Sequence, residues 1–200
     1  LDSPALAFSL VGEIAGAASA DVETLLRMES LIDNRGQAGE LLRLAEGQVE
    51  TADDDSKLLI LRLIGRISLS HLDRPQSALN ALGAALELSP EDIALARQVA
   101  DLQRVQRKHE DLLATYRRFG TEIIPPKENT DQDTSIQWYL DVGELLEQNL
   151  LDFSGAAAVY EELLAQDPTN RKALEKLRRL LIRLRDVPRL AEVVLKLAKK

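Results

Sequence analysis

ALNALGAALELSP (residues 78–90) and AAAVYEELLAQDP (residues 156–168) decide the fold of this 200-residue chain. Each carries Ala, apolar residues four and seven positions on, and Pro twelve positions on. These are Ala78, Leu82, Ala85 and Pro90 in one, and Ala156, Tyr160, Leu163 and Pro168 in the other. Spacings of four and seven put the first three on one helical face. Ser89 and Asp167, just ahead of the prolines, are read as N-caps with Pro at the first position of the next helix. The same face recurs as Leu112, Tyr116 and Phe119, as Leu190, Val194 and Leu197, and more faintly as Ala38, Leu42 and Ala45. The anchors at 38, 78, 112, 156 and 190 are separated by 40, 34, 44 and 34 residues. Both 78 to 156 and 112 to 190 span 78 residues, so the unit is a 34-residue step followed by a 44-residue step.

The helices ahead of these faces repeat as well. Leu61-x-x-Ile64-Gly65 and Tyr139-x-x-Val142-Gly143 each end thirteen residues before their Ala anchor, and Asp55-Ser56 and Asp133-Thr134 are expected to cap them. Together with Leu151-Asp152-Phe153-Ser154-Gly155-Ala156, this resembles the tetratricopeptide signature of a large apolar residue, Leu-Gly, Gly-Asp-Tyr, Ala, Tyr, Ala and Pro. The resemblance covers roughly residues 20–200. It implies an all-α, right-handed α-solenoid of antiparallel helix pairs, about five repeats plus an N-terminal helix, in one domain over 1–200. The Gly-to-Ala distance is one residue longer than the family's, and Leu112 and Leu190 replace the small Ala. Helices are expected at 4–18, 21–33, 36–49, 56–71, 75–88, 91–106, 109–120, 135–149, 153–165, 169–185 and 187–199. Residues 120–134, with Pro125 and Pro126, read as a solvated connector. The first residue, Leu1, and the helical pattern running to Lys200 read as a segment of a longer protein.

Composition agrees with close-packed helices. Hydrophobic residues are 45%, charged residues 29% and aromatics only 4%, so Leu, Ala, Val and Ile build the core. The chain has no cysteine, which excludes disulfides, zinc fingers and thiol catalysis but does not fix the compartment; a cytoplasmic setting is the working expectation. No apolar run reaches the ~18 residues of a membrane span. His71 and His109 fall at turns between paired helices and read as packing groups. Asn129-x-Asp131-Gln132-Asp133 and Asp53-Asp54-Asp55 hint at calcium, but neither has the loop Gly and terminal Glu of such a site, and helix caps explain both. No phosphate loop, GxGxxG or nucleophile elbow is present. No enzyme, cofactor, metal or small-molecule substrate is expected.

The net charge of −8 is unevenly spread. Residues 171–200 hold eleven Lys and Arg against three Asp and Glu, a net +8, leaving −16 on residues 1–170. The resemblance implies that the first helix of each pair lines a concave face. Its inner positions are Arg27, Arg62, Arg66, Arg97, Arg104, Lys172, Arg179 and Arg183, broken in the fourth pair by Leu140, Glu144 and Glu147. Trp138, the single tryptophan, is a packing residue or an aromatic contact for a partner. The expected role is a non-enzymatic interaction scaffold that takes a protein or peptide partner of acidic character, since guanidinium pairs bidentately with carboxylate. Self-association is a further partner reading. Neither a membrane nor a nucleic acid is the leading partner, but polyanion binding by 171–200 is the alternative.

Overall fold

The computed structural model describes residues 8–10, 12, 21–124 and 134–198. Most of the expected helix 4–18 lies outside these residues, as do Pro125, Pro126 and Asp131 to Asp133. The chain divides into two compact units, residues 1–106 and 107–200. No strand occurs among the described residues.

In the first unit the helices are α1 (Val22–Glu29), α2 (Arg35–Gln48), α3 (Asp54–Ser70), α4 (Pro75–Leu88) and α5 (Ile93–Val105). The central helix α3 packs along α4, α2 and α1, and α5 packs on α4. The second unit holds α6 (His109–Phe119), a short 3-10 turn (Gly120–Ile123), α7 (Thr134–Glu144), α8 (Phe153–Gln166), α9 (Arg171–Leu184) and α10 (Val187–Ala198). There α8 packs on both α7 and α9, and α10 packs on α9. Each unit is therefore built from successive antiparallel helix pairs, the all-α repeat class expected. Most anchor faces form the core: Ala38, Ala78, Ala85, Ala156, Tyr160 and Leu163 are fully buried. The expected face Leu190, Val194 and Leu197 does not: Val194 is exposed, Leu190 and Leu197 are half-buried, and Val193 is the buried residue of α10.

The backbone repeats with the sequence. Among the described residues, the non-glycine positions with left-handed φ are Asp73 (53°), Arg107 (57°), Leu151 (55°) and Arg185 (58°). They are spaced 34, 44 and 34 residues apart, the alternation found for the apolar anchors. Each sits where a first helix ends and its partner begins. A left-handed residue there lets the next N–H reach back to the helix's last turn: Arg74 N–H to the Ser68 carbonyl (2.8 Å) and Asp152 N–H to that of Leu146 (2.9 Å). The pairs also approach closely at equivalent points. A Cβ added at Gly65 would lie 2.5 Å from Leu82 Cδ2, and one added at Gly143 would lie 2.5 Å from Tyr160 Cε1. Gly143 follows Gly65 by 78 residues, and Tyr160 follows Leu82 by the same step.

Several expected boundaries are corrected. Ser89 and Asp167 are C-caps of α4 and α8, not N-caps, and their N–H groups still donate to Ala85 and Leu163 carbonyls. A residue before proline is driven out of the helical region, so the helix ends there. The next helices open later, at Asp92 and Asn170, whose side chains accept from the Leu95 and Ala173 N–H groups. The cap of α3 is Asp53, not Asp55. Its carboxylate accepts the Ser56 N–H at 3.0 Å, and Asp54 and Asp55 join the first turn, where the helix dipole favours acids. The expected helix 135–149 changes hand-hold at its end: Leu145–Asn149 form a π turn, closed by the Leu150 N–H on the Leu145 carbonyl at 3.1 Å. The connector begins inside the fold, because Ile123 and Ile124 are buried apolar residues.

Candidate functional site

In the first unit the predicted inner arginines meet carboxylates of the same unit. Arg66, on α3, makes a bidentate pair with Glu29 at the end of α1 (Nε–Oε1 2.9 Å, Nη2–Oε2 2.8 Å). Hydrogen bonding to Glu29 holds its pKa above the ordinary arginine value. Arg62, one turn earlier, pairs with Asp92. Asp92 thus serves both as the cap of α5 and as the partner of Arg62. Its pKa lies below the ordinary value, first through the Leu95 N–H and further through Arg62, although burial opposes the shift. The Arg62 Nε is buried without a hydrogen-bond partner. Arg27 pairs with Glu23 one turn back at 2.5 Å, and Arg104 with Asp101 at 2.8 Å. Arg97 is half-buried on α5 and also interacts with its surroundings.

The second unit differs. Lys172 and Arg179 are exposed on α9 and make no ion pair with a described residue. Arg183, also exposed, lies over the Phe153 ring with its guanidinium carbon 3.9 Å from the centroid, a cation–π contact between α9 and α8. Positions 172, 179 and 183 are seven and four apart, which sets all three on one face of α9. Trp138 is half-buried on α7. Its Nε1–H donates to the Tyr116 carbonyl of α6 at 3.1 Å, and its ring stands edge-on to Tyr139 at 4.9 Å. It therefore ties α6 to α7.

One cluster went unread in the sequence. Lys176, on α9, reaches Glu144 of α7 at 2.6 Å and lies 4.0 Å from Glu147. Beneath it, Tyr160 Oη and Glu147 Oε2 are buried without hydrogen-bond partners. Burial pushes the Tyr160 phenol well above its ordinary pKa, and Glu147 and Glu144 push the same way. Lys176 lies four residues after Lys172 and two glutamates interrupt the arginine row, so the charge pattern did hold a signal for this pairing. His71 is the C-cap of α3. His109 opens α6 with its Nε2 3.5 Å from Asn149 Nδ2. Asp53 is engaged by Ser56 through both N–H and hydroxyl. Among the described residues no group of three His, Cys, Asp or Glu side chains could hold a metal ion, and no helix is long and apolar enough to cross a membrane.

No protein-family model matches the chain, and no curated protein matches it in sequence. Among solved structures it is similar to MamA chains. One, described as the MamA RS-1 ArsTM double mutant, has 15% identity and a TM-score of 0.44, covering 96% of this chain and 92% of that one. Another, described as the crystal structure of MamA protein, has 19% identity and a TM-score of 0.49, covering 83% and 84%.

Proposed function

We propose that this chain is a helical-repeat interaction scaffold that holds an acidic segment of a partner protein on the first-helix face of its second unit. The reading rests on one observation. Lys172, Arg179 and Arg183 line up on the exposed face of α9, and the first two have no carboxylate partner among the described residues, whereas Arg62 and Arg66 of the first unit are already neutralised by Asp92 and Glu29. The functional arginine row is thereby narrowed to the α9 end. Trp138 is held to α6 by its hydrogen bond to the Tyr116 carbonyl and is not part of this row. Lys176, drawn to Glu144 and Glu147, completes a boundary of opposite charge beside the row.

A fluorescein-labelled oligoglutamate peptide tests this reading by anisotropy. Binding should weaken at least about tenfold when Lys172, Arg179 and Arg183 are changed to Glu, and should be unchanged by Arg66→Glu. Equal loss from both would refute the assignment. The same cations also suit the alternative, a polyanion surface across residues 171–200. A single-stranded oligonucleotide that binds more tightly than the peptide, with a steep fall in affinity with salt, would favour that alternative.

A further inference from the structure

Lys176 stands inside the span of the α9 cations, four residues after Lys172 and three before Arg179. Along the helix axis that is about 6 Å from one and about 4.5 Å from the other. A segment laid along Lys172, Arg179 and Arg183 therefore passes over it. The Lys176 ammonium is turned away toward α7, and its side chain is only 17% exposed. It lies 2.6 Å from Glu144 and 4.0 Å from Glu147. The first contact is a close ion pair, whereas the second is too long for a hydrogen bond.

The 78-residue repeat shows what helix packing alone requires at this place. The residues 78 positions before Glu144, Glu147, Tyr160 and Lys176 are Arg66, Leu69, Leu82 and Gln98. Leu82 fills the space against Gly65 that Tyr160 fills against Gly143. An aliphatic side chain thus meets the packing need, and the phenol hydroxyl is an addition. As it stands the addition is destabilising. Tyr160 is fully buried and its Oη has no hydrogen-bond partner, and neither has the buried Glu147 Oε2. Burial, with Glu147 and Glu144 nearby, keeps the phenol protonated, so an idle donor and an idle acceptor occur in one cluster. The backbone departs from the repeat here too. Glu147 is the middle residue of the π turn Leu145–Asn149, whereas its counterpart Leu69 lies within the regular helix α3. Such turns inside α-helices are frequent at functional sites.

We propose that Lys176 is a fourth cation of the acidic-segment site, held in reserve by Glu144 and Glu147 and released when a partner carboxylate takes its ammonium, the Tyr160 hydroxyl then donating to Glu147. The proposal rests on the α9 row being that site. In the exchange the flexible lysine stem carries the ammonium from one carboxylate to another. Glu144, whose side chain is 47% exposed, is taken up by water. Glu147 cannot be, because its open oxygen is buried, and Tyr160 is the positioning residue that satisfies it. The protein's own glutamates thus compete with the partner for Lys176. A segment with closely spaced carboxylates, enough to engage Lys172 and Arg179 and still displace Glu144, is selected over one with a single acid.

Anisotropy with the fluorescein-labelled oligoglutamate peptide tests the exchange, with the urea midpoint of each variant as the check on folding. Lys176→Gln should weaken binding about three- to fivefold, the worth of one partly exposed ion pair, while Lys176→Arg should bind like the parent. Glu144→Gln/Glu147→Gln should tighten binding. The gain should be at least about threefold larger in the parent chain than in a Lys176→Gln chain, since only the lysine can be released. Equal gains in the two backgrounds would mean that the glutamates merely repel the peptide, and would overturn the inference. Tyr160→Phe should weaken binding at least about twofold while raising the urea midpoint, a split that a packing role does not produce. Unchanged binding by Tyr160→Phe or by Lys176→Gln would also overturn it. If Lys172→Glu/Arg179→Glu/Arg183→Glu abolishes binding while the Lys176 variants change nothing, the site stands and only the exchange fails. A parent chain that does not bind the peptide would overturn both.

Discussion

Leu151→Gly should leave the stability of the second unit nearly unchanged, although it deletes a large apolar side chain. Leu151 has φ of 55°, where an L-residue with a Cβ costs roughly 1–2 kcal/mol relative to glycine. The residue is 63% exposed, so the apolar burial lost is on the order of 1 kcal/mol at about 25 cal/mol per Å². Glycine loosens the unfolded chain at a cost of about 0.4–1 kcal/mol. Taking central values, the strain relieved is offset by the sum of the two losses, and the expected net change is within about 0.5 kcal/mol of zero. Leu151→Ala supplies the reference, because it removes nearly the same side chain while retaining the Cβ. Gly should therefore exceed Ala at this position by about 0.5–1 kcal/mol. Urea unfolding followed by circular dichroism, with equal m-values as the check that the unfolded state is unaltered, reads this difference. An Ala variant as stable as the Gly variant would refute the reasoning, since it would mean that the turn is not held in the left-handed region.

Gly143→Ala should destabilise by about 2–4 kcal/mol, because the new methyl meets the ring of fully buried Tyr160 and a packed core yields little; Gly83→Ala, with nothing near its Cβ, should be neutral or stabilising in the same urea assay. Tyr160→Phe should raise stability by about 1 kcal/mol, since it removes a buried hydroxyl that lacks a partner; a loss of similar size would show that the hydroxyl is hydrogen-bonded. A double-mutant cycle on Glu29 and Arg66 should give a coupling of about 0.5 kcal/mol that fades in high salt, as for a half-exposed bidentate pair. Asp21, Asp53, Asp92, Asp167 and Asp186 all have pKa values below the ordinary carboxylate value because each accepts hydrogen bonds in the fold. Their contribution is complete above the unfolded value of about 3.9 and is lost as pH falls through the lower folded values. The urea midpoint should therefore hold between about pH 7 and 5 and drop below about 4, with a smaller drop in Asp53→Asn, whose amide still caps but does not titrate.

What could be read from the sequence followed from how many residues share each decision. The 78-residue step is written redundantly, in Ala78 and Ala156, in Gly65 and Gly143, and in Leu82 and Tyr160, and packing compels all three pairs because the helices touch where the glycines lie. Helix ends were less legible. Ser89 and Asp167 have good N-cap side chains, yet the following proline acts on their backbone, and that local steric term outweighs side-chain preference. The αL turns were hidden for the opposite reason: glycine normally signals such a position, and here Asp73, Arg107, Leu151 and Arg185 occupy all four. Only their spacing, matched against the anchors, reveals them.

Charge was legible in amount but not in pairing. Arg62, Arg66, Lys172 and Arg179 look alike in a list of inner positions. Whether each is available to a partner depends on carboxylates 30 or 37 residues away, as in Arg62 with Asp92 and Arg66 with Glu29. Those distances place the partner on a neighbouring helix, so the pairing is a property of the stack and not of any one repeat.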